Sequence, residues 1–330
     1  MKKIVVAPDS FKGSLTSAEV ADAVERGIKD VFPQCNVVKA GVADGGEGTV
    51  EAIVKAVGGA MYTASVTDPL GRPVKAAYGI VRSGGVKTAV MEMSAASGLP
   101  LLLPDELNPW ITSTYGTGEM ISDALNRGCR KFLVGIGGSA TNDAGTGMLS
   151  ALGVRFLDSR GQRLKGCGRD LESIVRIDMS SLMPAARESE FIVACDVNTP
   201  FCGPDGAARV FAPQKGADAD MVKELDVAMQ HLSDVIFHTT GKDVSLHPGA
   251  GAAGGMGGGL HAFLDAQLKP GIELLLETLD FAEKIKDADL IITGEGKSDR
   301  QTLMGKVPSG ILQEARRQHI PVILLAGAIE

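Results

Sequence analysis

Aromatic side chains are scarce in this sequence, because Phe, Trp and Tyr together make up only 4% of its 330 residues. Positive charge is also in deficit, since the formal net charge is −7. A protein that binds DNA or RNA needs a basic surface, and many such proteins add aromatic rings that stack on bases. The composition therefore argues against a nucleic-acid-binding protein.

Long apolar runs and cysteine patterns are missing as well. The N-terminal apolar run of residues 4–8 stops at Asp9, which is too short for a signal peptide, and no later segment approaches a membrane span. The five cysteines form no C-x-x-C pair and show no zinc-site spacing with histidines. They are typical of free thiols in a reducing compartment, so we expect a cytoplasmic protein with no membrane partner.

Glycine, by contrast, is abundant, with 42 residues that cluster in a few loops. Clustered glycines indicate tight turns in which the backbone comes close to a ligand. A chain of this length with 44% hydrophobic residues can bury cores for two domains. We therefore expect a globular protein whose glycine-rich loops carry its function.

Both ends of the chain alternate between short apolar strands and amphipathic helices, as in a parallel sheet. The pattern predicts strands at residues 3–8, 37–43, 289–293 and 322–325. It predicts helices at 17–31 and 308–318, and a third helix that follows residue 48 and ends near residue 57. We predict a Rossmann- or flavodoxin-like α/β domain formed by residues 1–65 and 286–330. The sequence stops directly after a strand, so we also expect the C-terminal part of this domain to be missing.

The middle of the chain has a different texture. Alternating segments at residues 62–67, 74–81 and 88–93 predict an antiparallel excursion. Further strands are predicted at 131–135, 154–157 and 191–194, and helices at 141–152, 221–238, 251–265 and 272–285. We assign residues 66–285 to an inserted mixed α/β domain, so the predicted fold class is two-domain α/β.

Three polar loops follow predicted strands of the end-derived domain: DSFKGS at 9–14, DGGEG at 44–48 and GEGKSD at 294–299. Ligands of open parallel sheets bind beyond the carboxyl ends of the strands. If these strands are parallel, Asp9, Asp44 and Glu295 lie along one edge together with Lys12. Carboxylates with one lysine suit a magnesium–phosphate site. The alternative is that Asp9 and Asp44 merely cap the helices that follow.

Two glycine-rich loops of the inserted domain are candidates for phosphate binding, because backbone amides at a helix N-terminus can cradle phosphate. The first reads GIGGSATND at 135–143, and the second reads GAGAAGGMGGG at 249–259. Their candidate residues are Gly137, Gly138, Ser139, Gly251, Gly254 and Gly255. A third candidate feature is Asp196, which follows a strand and could deprotonate an acceptor hydroxyl.

The first of these loops also fits a dinucleotide fingerprint. Gly135, Gly137 and Ala140 occupy its small-residue positions between a strand and a predicted helix, and Asp158 ends a later strand at about the ribose-binding distance. An NAD-dependent hydroxy-acid dehydrogenase is therefore an alternative. A non-catalytic nucleotide-binding protein is a second alternative.

Motifs along nearly the whole chain resemble those of the bacterial glycerate kinase family (type I, D-glycerate kinases). They are APDSFKGS at 7–14, VADGGEGT at 42–49, GIGGSATNDAGTG at 135–147, DVNTPFCG at 196–203, FAPQKG at 211–216, GAGAAGGMGGG at 249–259 and TGEGKSDRQTLMG at 293–305. The resemblance implies an ATP- and Mg²⁺-dependent kinase that phosphorylates D-glycerate, with 2-phosphoglycerate favoured as the product. It also implies a role in glyoxylate and sugar-acid catabolism.

For such a kinase we predict roles for the residues of the end-derived domain. Lys12 neutralises charge on the transferring phosphoryl group, and Asp44 and Glu295 hold Mg²⁺ directly or through water. Asp9 and Ser10 are assigned to substrate binding.

In the inserted domain, the two glycine-rich loops are predicted to bind nucleotide phosphates. Asp196 is the preferred catalytic base, and Asp143 is the alternative. Because the protein is negatively charged overall, two anionic substrates need local cations. We predict that Lys215 or Arg209 holds the glycerate carboxylate.

Overall fold

The computed structural model describes residues 2–11, 14–40, 49–83, 85–298 and 307–330. The chain divides into two compact units, of which the first joins Met1–Gly59 to Pro270–Glu330 and the second is Ala60–Lys269. The sequence predicts borders near residues 65 and 285, whereas the structure has them at the start of one strand and the end of another. The segment 270–285, assigned from the sequence to the inserted domain, therefore belongs to the first unit.

Strands and helices alternate along most of the described chain. The strands are β1 (Lys3–Pro8), β2 (Asn36–Lys39), β3 (Ala60–Thr67), β4 (Pro73–Ser83), β5 (Val86–Glu92), β6 (Lys131–Gly135), β7 (Arg155–Leu157), β8 (Arg176–Asp178), β9 (Glu190–Ala194), β10 (Gln267–Lys269), β11 (Leu290–Ser298) and β12 (Val322–Ile329). The α-helices are α1 (Ser17–Val31), α2 (Thr49–Val57), α3 (Ser94–Ser97), α4 (Tyr115–Asn126), α5 (Thr146–Ala151), α6 (Pro184–Arg187), α7 (Ala207–Phe211), α8 (Ala219–Thr240), α9 (Met256–Leu264), α10 (Gly271–Thr278), α11 (Phe281–Ile285) and α12 (Val307–Arg317).

The first unit contains a parallel sheet with the strand order β2-β1-β11-β12. From β1 the chain moves outward to β2, and from β11 it moves outward in the opposite direction to β12. The strand order therefore reverses between β1 and β11. Open parallel sheets form their ligand crevices at the carboxyl ends of the strands at such a reversal. The prediction of a parallel sheet built from both chain ends is confirmed.

The centre of this sheet is apolar on both faces. Residues 4–7 of β1 are buried, as expected for a parallel strand covered on both sides. Helix α1 contributes Ile28 to the same core. It begins with a capping box, in which the Thr16 hydroxyl accepts from the Glu19 amide and the Glu19 carboxylate accepts from the Thr16 amide. These contacts support β1, whose carboxyl end leads to Asp9.

The second unit is built on a mixed sheet with the order β3-β4-β5-β6-β9-β10. The pairs β3–β4 and β4–β5 are antiparallel, which confirms the predicted excursion. The pairs β5–β6, β6–β9 and β9–β10 are parallel, so their carboxyl ends lie along one edge. Phe132 of β6 and Phe191 of β9 stack with ring centroids 4.6 Å apart. Strands β7 and β8 form a separate antiparallel pair.

Three of the predicted helices are shorter or broken, in each case at a residue with positive φ. The helix predicted at 141–152 begins only after Gly145 (φ 74°), and the one predicted at 251–265 begins after Gly255 (φ 90°). The helix predicted at 272–285 is two helices, α10 and α11, separated at Asp280 (φ 50°). Left-handed backbone cannot continue a right-handed helix. Both glycine-rich loops are consequently longer than the sequence predicts.

The strands at the C-terminal end are longer than predicted. β11 and β12 remain paired as far as Ser298 and Ile329, several residues beyond the predicted strand ends. β2, in contrast, ends at Lys39, and residues 41–43 of the predicted strand lie outside the described residues. Within the described ranges, no helix combines the length and apolar character needed to cross a lipid bilayer.

Candidate functional site

Two acidic side chains lie at the reversal point of the first unit's sheet. Pro8 of β1 pairs with Gly294 of β11, so Asp9 and Glu295 occupy the next positions on neighbouring strands. Both are buried, with exposed fractions of 5% and 4%. The Asp9 amide donates to the Gly294 carbonyl oxygen at 2.8 Å, and Asp9 Oδ1 accepts from the Ser10 amide at 2.6 Å. The predicted convergence of these two loops on one edge is therefore present.

The rest of the predicted magnesium–phosphate cluster cannot be placed in this way. Lys12 and Asp44 lie outside the described residues. Within the described part of the chain, no group of three or more His, Cys, Asp and Glu side chains is arranged to hold a metal ion. Asp9 and Glu295 nevertheless supply oxygen donors of the kind that Mg²⁺ prefers. The donor set at this edge fits that ion, and the predicted ligand Glu295 belongs to it.

The carboxyl ends of the parallel strands in the second unit form another edge. Glu92, Gly135, Ala194 and Lys269 are aligned across β5, β6, β9 and β10. The sequence did not single out Glu92, although its position near the end of the strand predicted at 88–93 was the available signal. Asp196 follows β9 by two residues and is exposed. It therefore follows the strand that pairs with β6.

That loop begins with an exposed two-glycine turn. Gly137 and Gly138 are both exposed, and Gly138 has φ 70°, which a residue with a Cβ rarely adopts. On one side the loop is tied to the chain after α3, since the Leu99 amide donates to the Gly138 carbonyl at 2.9 Å. Among the described residues, the amides of Gly137 and Gly138 have no acceptor. Two successive exposed amides in such a turn suit an anion.

The turn does not sit at the N-terminus of a helix, contrary to the prediction. Helix α5 begins at Thr146 and is only six residues long. The reason is Asp143, whose two oxygens accept from the backbone amides of Thr114, Gly145 and Gly147 and from the Thr114 hydroxyl, at 2.8–3.3 Å. These bonds shape residues 143–147 into a turn instead of a helix.

Asp143 is consequently a poor candidate for the catalytic base. It is fully buried, and the four hydrogen bonds occupy both of its oxygens. Burial raises the pKa of Asp143, and the hydrogen bonds from Thr114, Gly145 and Gly147 oppose that shift. Its hydrogen bonds hold the turn at residues 143–147 and connect it to Thr114. Between the two predicted bases, only Asp196 is placed at the exposed strand edge.

Lys215 lies beneath the two-glycine turn and not in solvent. Its side chain is 1% exposed, and Nζ donates to Ser139 Oγ at 2.8 Å and to the Thr141 carbonyl oxygen at 2.7 Å. Burial lowers the pKa of Lys215 to about 7, and the nearby Asp143 charge acts in the opposite direction. In this arrangement the ammonium group is buried and bonded to the protein, so it is not exposed to a substrate carboxylate as the sequence predicted.

Arg209, the other predicted carboxylate ligand, is held by an ion pair. Its Nε donates to Asp226 Oδ2 at 2.8 Å, and Asp226 Oδ1 also accepts from the Gly203 amide at 2.8 Å. Asp226 is buried, whereas Arg209 is exposed at the end of α7. The pair fixes α7 against α8, which is a structural role.

The second glycine-rich loop packs against the protein's own backbone. A Cβ at Gly251 would collide with the Pro200 carbonyl oxygen, and one at Gly254 would collide with the Thr141 carbonyl oxygen. The amides of Gly251 and Gly255 donate within the chain, to the carbonyls of Thr199 and Gly251. All three predicted phosphate-binding glycines are buried. These contacts show that close packing of backbone segments requires glycine at these positions, whereas the sequence pattern favoured a role in phosphate binding.

The dinucleotide fingerprint is not supported by the structure. No helix directly follows Ala140, and Asp158 follows β7, which pairs with β8 in the separate two-stranded sheet. Asp158 Oδ1 accepts from the amides of Arg160 and Gln162 in its own turn. The acidic residue is therefore not on the strand beside β6, where ribose recognition would require it.

The fold and these loops define an α/β protein that presents acidic side chains and exposed amides at the carboxyl ends of parallel strands. Residues 4–330 match the model of the glycerate kinase family. A glycerate kinase of Haemophilus influenzae is 50% identical over 99% of this chain and 86% of its own length. A glycerate 2-kinase of Escherichia coli K12 is 49% identical, over 99% of this chain and 85% of its own length. This chain belongs to the glycerate kinase family.

A solved structure agrees with this assignment. A crystal structure assigned to a glycerate kinase 2 of Salmonella typhimurium LT2 superposes with a TM-score of 0.93 at 45% identity. The match covers 100% of this chain and 90% of that one. It also confirms the predicted α/β fold class over the whole length of the chain.

Proposed function

We propose that this protein transfers the γ-phosphoryl group of ATP to the 2-hydroxyl of D-glycerate. Membership of the glycerate kinase family is the observation that carries this proposal. The glycerate 2-kinase among the relatives supports the choice of hydroxyl. ATP is proposed as the donor because the exposed amides of Gly137 and Gly138 suit phosphate oxygens. We further propose that the enzyme acts in the cytoplasm, in glyoxylate and sugar-acid catabolism.

The residues of the second unit are assigned to nucleotide binding and proton transfer. The amides of the Gly137–Gly138 turn bind phosphate oxygens of the nucleotide. Asp196 accepts the proton of the glycerate hydroxyl as that oxygen attacks the γ-phosphorus atom, and the bond to the β-phosphate oxygen breaks. Its exposed position after the strand that pairs with β6 supports this role.

The residues of the first unit are assigned to the metal and to the substrate. Glu295 would hold Mg²⁺, and Asp9 and Ser10 would bind substrate at the same strand edge. The ion, when bound, neutralises charge on the phosphate oxygens. Lys12 as the cation on the transferring group and Asp44 as the second metal ligand remain predictions from the sequence.

An ADP-release assay with and without D-glycerate tests the proposal. We expect ADP only when ATP, Mg²⁺ and glycerate are all present, and phosphorus NMR of the product should show 2-phosphoglycerate. A product phosphorylated at the 3-hydroxyl would correct the regiochemistry alone. Ligand-dependent stabilisation without ADP release would overturn the enzymatic function, and nicotinamide reduction with glycerate would indicate a dehydrogenase instead.

A further inference from the structure

Lys215 has a buried ammonium group whose hydrogen bonds reach the residues that flank the two-glycine turn. Nζ donates to Ser139 Oγ at 2.8 Å and to the Thr141 carbonyl oxygen at 2.7 Å. We propose that Lys215 is a positioning residue, which holds the Gly137–Gly138 turn in the shape that binds nucleotide phosphate. The proposal rests on the proposed function for the identity of the ligand.

The segment that carries Lys215 forces its side chain inward. Pro213–Lys215 is a 3₁₀ turn, in which the Lys215 amide donates to the Ala212 carbonyl at 3.0 Å. Gly216 closes the turn with φ 94°, and a Cβ at this position would collide with the Leu107 carbonyl oxygen. The turn is therefore fixed on both sides. The fixed backbone places the Cα of Lys215 next to the loop after β6, and burial with the two hydrogen bonds of Nζ holds the side chain there.

The loop is attached to several neighbouring segments, including a hydrogen bond from the Thr112 hydroxyl to the Ala140 carbonyl at 2.9 Å, and Lys215 supplies two further hydrogen bonds. Toward the segment that follows α3, the Ala140 amide donates to the Ser97 carbonyl and the Leu99 amide donates to the Gly138 carbonyl, both at 2.9 Å. Toward the segment that carries Lys215, the Nζ atom bridges Ser139 and Thr141. Glycine-rich turns have many accessible backbone conformations, so an added attachment next to the turn restricts it. Preorganised amides need no rearrangement when an anion arrives.

The bridge survives the loss of the lysine's proton. Burial lowers the pKa of Lys215 to about 7, with Asp143 opposing the shift, so both charge states occur near neutrality. A neutral amine still has two N–H groups, one for each of the two acceptors. The positioning role therefore does not depend on charge. It also differs from direct phosphate binding by lysine, which would need Nζ at the surface.

Hydrogen exchange in the ligand-free protein tests the positioning directly. We expect Lys215→Met to speed amide exchange in a peptide covering residues 135–142 by about tenfold. The reason is that the variant removes both hydrogen bonds from Nζ to this loop. The matched control is Lys242→Met, because Lys242 Nζ donates to the His261 carbonyl at 2.8 Å in another part of the same unit. Unchanged exchange in Lys215→Met would overturn the proposal.

Nucleotide affinity and a double-mutant cycle add a readout that general destabilisation does not move. For ADP, measured by calorimetry, we expect Kd to rise about tenfold in Lys215→Met, less in Ser139→Ala, and no further in the double variant. Additive effects would overturn the coupling through Ser139. Should Lys215→Met fail to fold, Ser139→Ala alone must still speed exchange in the same peptide.

The two proposals fail separately. If the wild-type protein releases no ADP with glycerate, while Lys215→Met still alters exchange and ADP affinity, the proposed function is wrong and the positioning role stands. If the wild-type protein turns over glycerate but Lys215→Met leaves KM for ATP and the exchange rates unchanged, the positioning role is wrong and the function stands. If the wild-type protein binds no ADP, the phosphate-binding part of the inference is wrong.

Discussion

Asp9 and Glu295 lie side by side at the ends of β1 and β11, although 286 positions separate them in the sequence; the same separation divides their paired neighbours Pro8 and Gly294. Their juxtaposition follows from the parallel register and from the reversal of strand order at this point. Two buried carboxylates at such an edge can hold a cation.

Neutralising either carboxylate should raise the Mg²⁺ requirement, because Glu295 is the proposed ligand and the negative charge of the neighbouring Asp9 adds to the attraction for the ion. We expect Asp9→Asn and Glu295→Gln each to weaken the apparent Mg²⁺ affinity by about tenfold or more in a turnover assay with varied Mg²⁺. Glu283→Gln is the control, because Glu283 is an exposed carboxylate of the same unit that pairs with Lys286. An unchanged Mg²⁺ dependence in both variants would place the metal elsewhere.

Asp196→Asn should remove the base without affecting the fold. The residue is exposed after β9, so we expect a melting temperature close to that of the wild type and a fall in kcat of about 10² to 10⁴. Asp205→Asn, another exposed aspartate of the same unit, should keep normal turnover. A normal kcat in Asp196→Asn would contradict the assignment.

Asp143→Asn should affect stability more than any other carboxamide change discussed. An asparagine NH₂ group would face amide donors that now bond to a carboxylate, and we expect a loss of about 2 kcal/mol or more in the free energy of unfolding. Urea denaturation measures the change. Asp158→Asn, in an exposed turn, should cost much less. Equal effects of the two substitutions would argue against the loop-holding role of Asp143.

The two glycine-rich loops should respond differently to alanine. Gly251→Ala places a methyl group against the Pro200 carbonyl, and we expect a cost of about 1–3 kcal/mol in the free energy of unfolding. At Gly137 a Cβ meets nothing within 4 Å. Gly137→Ala should therefore fold normally but raise KM for ATP, because the methyl group would lie beside the amides that we propose bind phosphate. The reverse pattern would restore the second loop as the nucleotide site.

The buried amine of Lys215 should make stability depend on pH. Its pKa is lowered by burial to about 7, whereas in the unfolded chain the lysine keeps its proton up to its ordinary pKa of about 10.5. Between these values the unfolded state binds more protons, so the free energy of unfolding rises with pH, and below about pH 7 this gain is absent. The free energy of unfolding of the wild type minus that of Lys215→Met should increase from about pH 7 to about pH 9, as measured by urea denaturation. A constant difference would contradict the lowered pKa.

The sequence predicted the strand edges well because the apolar pattern of parallel strands is local. Asp9, Glu295 and Asp196 were recognisable as polar residues that directly follow such strands. The burial and the hydrogen-bond partners of Lys215, Arg209 and Asp143 could not be predicted, because these partners come largely from distant segments. Lys215 bonds Ser139 and Thr141 more than seventy positions away.

By itself, the sequence determined the α/β class, the family and the residues at strand ends, since these depend on hydrophobic periodicity and short motifs. Only the tertiary structure decided which glycines face open space and which pack against other backbone segments. Gly137 and Gly251 are alike in sequence, but one lies in open space and the other against a carbonyl group. That difference arises from how separate segments come together, because close packing leaves no room for a Cβ where backbones meet.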